Sequence, residues 1–201
     1  MTVDLLLIRR RRPMGEPEAR EPHAAIGVAT MEGTAGAGRI VLALAQAGIS
    51  CDSMIQAILP QDLDLRALAA LDLGGPYDTV VLGSHLVNLP EAPRRSALLA
   101  LAARHVADDG VVVIEHHPID WAETAAAVEP TPGSAVGMED VRRDPPFVSA
   151  VSAYDIGGRM FRQPFRARVL SEEELAAAVA SAGLRVSRRI GPTWIEARPG
   201  A

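Results

Sequence analysis

Five polar or ionisable side chains lie just after two apolar runs of the sequence, and they could take part in proton transfer or ligand binding. They are Ser84, His85, Glu115, His116 and His117. The apolar runs before them, Thr79–Leu82 and Val111–Ile114, predict buried strands. The carboxyl ends of parallel strands lie at one edge of a sheet, where ligands bind. Because imidazole has a pKa near neutrality, we expect chemistry that moves a proton at this edge.

A glycine-rich segment between an apolar run, Ala24–Met31, and a predicted helix, Ile40–Ala47, is a second candidate site. Its acidic, glycine and threonine residues are Glu32, Gly33, Thr34, Gly36 and Gly38. Glycines let a backbone pass close to a nucleotide, and free amides at the following helix N-terminus can contact polar ligand atoms. The same pattern is typical of tight strand-to-helix turns that bind nothing, so the loop alone leaves both interpretations open.

The composition excludes several classes of site. The 201-residue chain has a formal net charge of −5 and no lysine, which argues against a nucleic-acid surface and against Schiff-base or P-loop chemistry. The one cysteine, Cys51, can form neither an internal disulfide nor a cysteine-based zinc site, and we expect a cytoplasmic location. No apolar run reaches the roughly 18–20 residues that span a bilayer, so no membrane partner is expected.

Two further kinds of site are disfavoured by local pattern. Adjacent residues of a strand point to opposite faces, so His116 and His117 cannot easily bind one ion, and no metal site is expected. The G-x-S-x-G elbow of a serine hydrolase does not occur in the sequence. We expect His105, on an amphipathic helix, and His23, near the N-terminus, to be structural or exposed.

The order of the apolar runs predicts a single α/β domain over residues 24–201. Residues 1–23 are predicted to be a poorly ordered lead-in, because Arg9–His23 is rich in arginine, glutamate and proline. Alternation of strands and helices after the glycine segment predicts a mostly parallel twisted sheet with helices on both faces. The predicted elements of its middle part are a strand at Ile49–Cys51, helical turns around Met54–Leu59, a strand at Tyr77–Gly83, a helix at Ala92–Val106 and a strand at Val111–Ile114.

The last third of the chain predicts a long hairpin within residues 136–170. Its two strands, Phe147–Tyr154 and Arg159–Val169, alternate in polarity. Ser171 and Glu174 form a capping box, which predicts a helix that ends before a glycine. Two short strands, Leu184–Ser187 and Thr193–Ala197, would add an antiparallel hairpin at the C-terminus. The arginines of residues 136–170 could contact an acidic substrate, a carrier protein or a second subunit, so a homodimer is one expected assembly.

The glycine segment, Pro76–Asn88 and Arg104–His117 together resemble the Rossmann-like (class I) S-adenosylmethionine (SAM)-dependent methyltransferases. The resemblance covers roughly Ala24 to the C-terminus. It implies SAM as the cofactor and a small-molecule acceptor, in a biosynthetic pathway. In that family the glycine loop cradles the methionine and ribose of SAM, and Thr34 stands here where the family has its first glycine.

The resemblance also implies carboxylates that hold the ribose and the adenine. Asp52 takes the ribose position in one alignment, and Ile49 takes it in another. Asp64 and Ala67 are the corresponding alternatives near the adenine. A carboxylate on the ribose hydroxyls contributes orientation as well as affinity, so these positions bear on whether SAM binds.

The sulfonium of SAM already activates the methyl group, so such an enzyme chiefly aligns the acceptor and removes a proton from it. We expect His116 or His117 to be the base, and Glu115 to orient it or contact the substrate. The alternative to catalysis is that one histidine caps a strand end and the other is solvated. Ser84 is expected to line the cofactor pocket, and His85 to line the cofactor or acceptor pocket. Trp121 would line the acceptor pocket or pack beneath it.

Two other functions remain open. A methyltransferase-like protein that has lost transfer would be a binding or scaffold subunit, or would catalyse a different reaction in the same pocket. The alternative alignments of the two carboxylates favour that possibility. A nicotinamide dehydrogenase is disfavoured, because its fingerprint requires a third glycine and Gly38 is followed by Arg39, Ile40 and Val41.

Overall fold

The structure is a computed structural model, and it describes residues 3–9, 53–59, 65–73, 76–128, 136–156 and 159–200. Several predicted features lie outside the described residues. They are the cofactor-loop residues Glu32, Gly33, Thr34, Gly36 and Gly38, the carboxylates Asp52 and Asp64, and the predicted elements at Ala24–Met31, Ile40–Ala47 and Ile49–Cys51.

The described part of the chain forms two sheets with accompanying helices. The strands are β1 (Val3–Arg9), β2 (Ser53–Leu59), β3 (Tyr77–Leu82), β4 (Val106–Glu115), β5 (Val136–Asp144), β6 (Phe147–Ile156), β7 (Arg159–Arg168), β8 (Leu184–Ile190) and β9 (Trp194–Pro199). The helices are α1 (Leu65–Ala70), α2 (Ala92–His105), α3 (Trp121–Thr124) and α4 (Glu172–Ser181), with a 3₁₀ turn at Leu86–Asn88. The main sheet has the order β2-β1-β3-β4-β9-β8, and the small sheet has the order β5-β6-β7.

The main sheet is mixed, which corrects the expectation of a mostly parallel sheet for the strands that are described. β3 and β4 pair in parallel, whereas β1 pairs antiparallel with both β2 and β3, and β9 pairs antiparallel with both β4 and β8. The connections explain the difference. Helix α2 provides the crossover that a parallel pair needs, and the short turn between β8 and β9 allows only an antiparallel pair.

Two N-terminal segments differ from their sequence predictions. Val3–Arg9, placed in the lead-in, is a strand that pairs with β2 over its whole length and with β3 through Leu5–Ile8. Ser53–Leu59, where helical turns were expected, is also a strand. Both segments are apolar runs of seven residues or fewer, and such runs are compatible with either structure until a pairing partner is known.

The core lies between the main sheet and helices α2 and α4. Apolar side chains at alternate positions of the central strands are buried there: Val80, Leu82, Val112, Ile114, Ile195 and Ala197. Helix α2 contributes Leu98, Leu99, Leu101 and Ala102, and α4 contributes Leu175 and Val179. Within the described ranges, no helix is both long and apolar enough to cross a membrane.

Several predicted elements are confirmed. Helix α2 and strand β3 match their predicted bounds to within one residue, and β6 and β7 form the predicted hairpin. The small sheet gains a third strand, β5, that was not predicted. β4 is longer than predicted, because the chain stays extended through Asp108–Gly110 with an irregularity in its pairing to β3.

Gly110 → Ala is expected to lower the free energy of unfolding by about 1–3 kcal/mol. A Cβ at this position would lie 2.8 Å from Cγ2 of Val106 and 2.9 Å from the carbonyl oxygen of Asp78, so the backbone of β3 or β4 must shift. Urea denaturation followed by circular dichroism measures the loss. Gly183 → Ala is the control: φ is +79° there but nothing lies within 4 Å, so only a backbone cost of about 1 kcal/mol is expected. A smaller loss for Gly110 → Ala than for the control would contradict the close packing.

Ser171 → Ala is expected to destabilise the fold by about 1 kcal/mol. The predicted capping box is present, with Glu174 N–H donating to Ser171 Oγ at 3.1 Å and Ser171 N–H donating to Glu174 Oε2 at 3.0 Å. The same denaturation experiment tests it. Ser181 → Ala, at the last residue of α4, serves as the matched control, since its hydroxyl only donates back to the Ala177 carbonyl. Equal losses for the two variants would show that the cap adds no stability.

Candidate functional site

The candidate site is formed where the adjacent parallel strands β3 and β4 end. Leu82 pairs with Ile114, so the segments that follow lie side by side. Ser84 and His85 turn the chain out of β3 with φ values of 54° and 53°. Residues other than glycine seldom adopt this left-handed conformation, and strain of this kind clusters at functional sites.

Glu115, the last residue of β4, holds this turn from the neighbouring strand. Its Oε2 accepts a hydrogen bond from the Ser84 N–H at 2.6 Å, and its Oε1 lies 3.8 Å from His85 Nε2. The exposed fraction is 34% for the His85 side chain and 20% for that of Glu115. The carboxylate therefore stabilises the turn and lies at ion-pair distance from an accessible imidazole.

Four rings extend from this turn to the small sheet, and we call them the aromatic ladder: His85, His117, Trp121 and Phe165. The His85 and His117 centroids are 3.9 Å apart with planes at 18°, and the His117 and Trp121 centroids are 3.7 Å apart at 6°. Trp121 and Phe165 follow at 6.4 Å and 14°. Because Trp121 begins α3 and Phe165 belongs to β7, the ladder joins the ends of the main strands to the small sheet.

His117 is uncharged at neutral pH. Burial, together with the neighbouring imidazoles of His85 and His116, lowers the pKa of His117 from 6.5 to about 2. A group with so low a pKa is a weak proton acceptor near neutrality. These surroundings favour a stacking role for His117.

His116 does not join the ladder within the described part of the chain. Its side chain is only 3% exposed, and its backbone N–H donates to the Thr193 carbonyl at 2.8 Å. Nδ1 lies 2.8 Å from the carbonyl oxygen of His117, and because that oxygen can only accept, Nδ1 carries the proton. Nε2 is buried and has no hydrogen-bond partner among the described residues. Burial lowers the pKa of His116 as well.

Asn88, at the end of the 3₁₀ turn, is a site residue that the sequence analysis missed. Its side chain is 1% exposed. Oδ1 accepts a hydrogen bond from the His117 N–H at 2.9 Å, and Nδ2 donates to the Arg168 carbonyl at 2.8 Å. One feature of the sequence could have identified Asn88: it is an amide within the otherwise apolar run Leu86–Leu89. A polar group buried with such a run requires hydrogen-bond partners.

The remaining candidates lie elsewhere in the structure. His105 is buried in the core, where its Nε2 accepts from the Leu73 N–H at 3.0 Å and its Nδ1 lies 2.8 Å from the Leu101 carbonyl, so it is structural. Two of the hairpin arginines form ion pairs, Arg162 with Glu139 at 2.8 Å and Arg168 with Glu174 at 2.6 Å. In the described ranges, no group of three or more histidine, cysteine, aspartate or glutamate side chains is arranged to hold a metal ion.

Comparisons with known proteins bear on the fold. No family model and no curated protein matches the sequence. Among solved structures, the CcbJ methyltransferase from Streptomyces caelestis aligns with a TM-score of 0.50 and 21% identity, over 67% of this chain and 62% of its own. A SAM-dependent methyltransferase from Clostridium acetobutylicum ATCC 824 aligns with a TM-score of 0.53 and 11% identity, over 82% of this chain and 71% of its own.

The chain thus spans less than two thirds of the CcbJ chain, while it matches most of the clostridial one. At 21% and 11% identity, these similarities bear on architecture. The resemblance found in the sequence is confirmed at that level: the chain has the α/β fold of the class I SAM-dependent methyltransferases.

Proposed function

We propose that the protein transfers a methyl group from SAM to an oxygen or nitrogen atom of a small molecule. The observation that carries this proposal is the meeting of the Glu115–His85 pair and the aromatic ladder at the carboxyl ends of β3 and β4. Sheets of this kind bind ligands at that edge. In a chain with a methyltransferase fold, this is the place where donor and acceptor would meet.

The described residues fit a cationic methyl donor. Glu115 brings a carboxylate to the site, and the low pKa of His117 keeps its ring uncharged beside it. A carboxylate attracts a cation such as the sulfonium, and an uncharged neighbouring ring does not repel it. We also propose that residues of the glycine segment and of the predicted second strand hold SAM. These residues lie outside the described part of the chain: Glu32, Gly33, Thr34, Gly36, Gly38 and Asp52.

We assign proton transfer to His85 in place of His116 or His117. The His85 side chain is one-third exposed but its Nδ1 is buried, so Nε2 is the nitrogen that would take the acceptor's proton. Glu115 Oε1, 3.8 Å from Nε2, would stabilise the imidazolium that forms. The pKa of His117 is too low for an effective base near neutrality, and His116 is closed to a substrate by burial. Bound SAM would supply the electrophilic methyl group, whose bond to sulfur breaks to release S-adenosylhomocysteine, and His85 would take the proton that the acceptor loses.

The ladder supports alignment of the acceptor. Trp121 and Phe165 present ring faces between the main sheet and β7, and their planes differ by only 14°. Rigid rings hold a bound molecule with little loss of side-chain entropy, and accurate alignment is the main contribution that methyl transfer needs. These two ring faces support the proposal of a small, flat acceptor.

A homodimer through the hairpin remains a prediction, and the small sheet restricts how it could form. β7 is the outer strand, with Pro164 in its middle, and proline cannot donate a ladder hydrogen bond. At the opposite edge, Val128 already bridges Met138 of β5. Contact between sheet faces is therefore favoured over addition of a partner strand. The cytoplasmic location is likewise a prediction from the sequence.

Calorimetric titration tests the proposed donor. The protein is expected to bind both SAM and its demethylated product, S-adenosylhomocysteine. Glu115 → Gln retains an oxygen that can accept from the Ser84 N–H but removes the charge. We expect this variant to weaken SAM binding by roughly fivefold, about 1 kcal/mol, and to leave the uncharged product nearly unaffected.

Two outcomes would count against the donor site. Equal weakening of both ligands would show that the Glu115 charge does not face the sulfonium. No binding of either ligand by the wild-type protein would favour the alternative function, a methyltransferase-like binding or scaffold protein.

The neutral state of His117 predicts a pH-dependent stability. Its pKa is about 2 in the folded protein and 6.5 in the reference state, so below pH 6.5 the unfolded chain binds a proton that the folded chain does not. With respect to this group, the free energy of unfolding should therefore have its full value above pH 6.5. It should fall as the pH is lowered towards 2, by about 1.4 kcal/mol per pH unit for one proton. Urea denaturation between pH 7.5 and 5 measures the slope.

His117 → Phe is the matched variant for this measurement, because it keeps a flat ring in the ladder and cannot titrate. Its slope should be smaller by the amount due to one proton. His116, whose pKa is also lowered by burial, accounts for part of the remaining slope. An unchanged slope in His117 → Phe would mean that His117 is not buried in its neutral form.

A further inference from the structure

We infer that Asn88 is a positioning residue, whose buried amide fixes His117 in the aromatic ladder and connects it to the end of β7. The side chain hydrogen-bonds the backbone of two other segments, at His117 and at Arg168. A role of Asn88 in the reaction rests on the proposed function, in which the rings of the ladder align the acceptor. The connection itself follows from the contacts alone.

The segments that follow β3 and β4 are cross-linked in both directions. Ser84 N–H donates to Glu115 Oε2 at 2.6 Å, and His117 N–H donates to Asn88 Oδ1 at 2.9 Å. Each segment thus supplies one backbone donor and one side-chain acceptor. Because backbone positions are fixed at both points, the His85 and His117 rings are held at their 3.9 Å stacking distance.

The other end of the Asn88 amide reaches the small sheet. Nδ2 donates at 2.8 Å to the carbonyl oxygen of Arg168, the last residue of β7. Phe165 lies three residues earlier on the same strand and forms the far end of the ladder. One side chain therefore contacts the backbone of His117, the second ring of the ladder, and the strand that carries Phe165, its last ring.

The two partners require an amide. The His117 N–H needs an acceptor and the Arg168 carbonyl needs a donor, and asparagine supplies both from one short side chain. A carboxylate would place an oxygen against the Arg168 carbonyl in a site that is 1% exposed. Alanine would leave both backbone groups without this partner. Asn88 is also the single asparagine of the sequence, so it can be observed in isolation.

Selective labelling with ¹⁵N-asparagine gives one side-chain amide signal, and its exchange with solvent tests the connection in the wild-type protein. A buried amide with these two partners should exchange at least about tenfold more slowly than a free one. Exchange at the rate of a free amide would overturn the inference. This measurement needs neither SAM nor a variant that folds.

A second measurement follows His117 itself by NMR of the histidine rings. In the wild-type protein the ring should stay neutral down to about pH 4.5. In Asn88 → Ala we expect the ring to begin to titrate above pH 4.5, because a loosened ring leaves the stack, gains solvent and moves away from the imidazoles of His85 and His116, which hold its pKa down. Ser171 → Ala is the control, since it destabilises α4 without touching this turn and should leave the titration unchanged.

The outcomes separate the inference from the proposed function. If Asn88 → Ala leaves the His117 titration at its wild-type position, or if Ser171 → Ala shifts it equally, Asn88 has no specific positioning role, whatever the result with SAM. If the wild-type protein binds neither SAM nor its product while the His117 pKa responds to Asn88 → Ala, the methyltransferase proposal fails and the positioning role stands.

Discussion

The hydrogen bond from the Ser84 N–H to the Glu115 carboxylate is the contact that the site geometry depends on most. Ser84 and His85 are both left-handed, and each such residue costs roughly 1–2 kcal/mol. A hydrogen bond to a charged acceptor contributes about 1.5–3 kcal/mol, which is enough to offset most of that strain. Without this contact the end of β3 could relax to an extended conformation, and His85 would lose its fixed position against His117.

The electrostatic character of the site follows from that arrangement. Stacking between His85 and Trp121 shields His117 from water, and the loss of solvation lowers its pKa so that the ring is neutral near pH 7. Glu115 remains at the turn, partly exposed. The turn therefore combines the Glu115 carboxylate with a His117 ring that carries no charge of its own.

Local sequence patterns predicted the elements whose structure depends on neighbouring residues. The capping box of α4, the apolar run of β3 and the amphipathic helix α2 are all of this kind, and the strand-end rule correctly brought Ser84, His85 and Glu115 together. Elements set by distant partners were not predictable in this way. β1 and β2 became strands through pairing with each other, and the buried role of Asn88 depends on Arg168, eighty residues further along the chain.

The two adjacent histidines show why a fold and a sequence pattern do not by themselves assign roles to site residues. His116 and His117 are neighbours, and pattern alone made them equal candidates for a base. The strand separates them: one enters the ladder and becomes an uncharged surface, while the other is buried with its Nδ1 proton committed to a carbonyl. His85, for which the sequence predicted a place in the cofactor or acceptor pocket, is the one of the three with both a one-third exposed side chain and a carboxylate at 3.8 Å, and neither property is visible in the sequence.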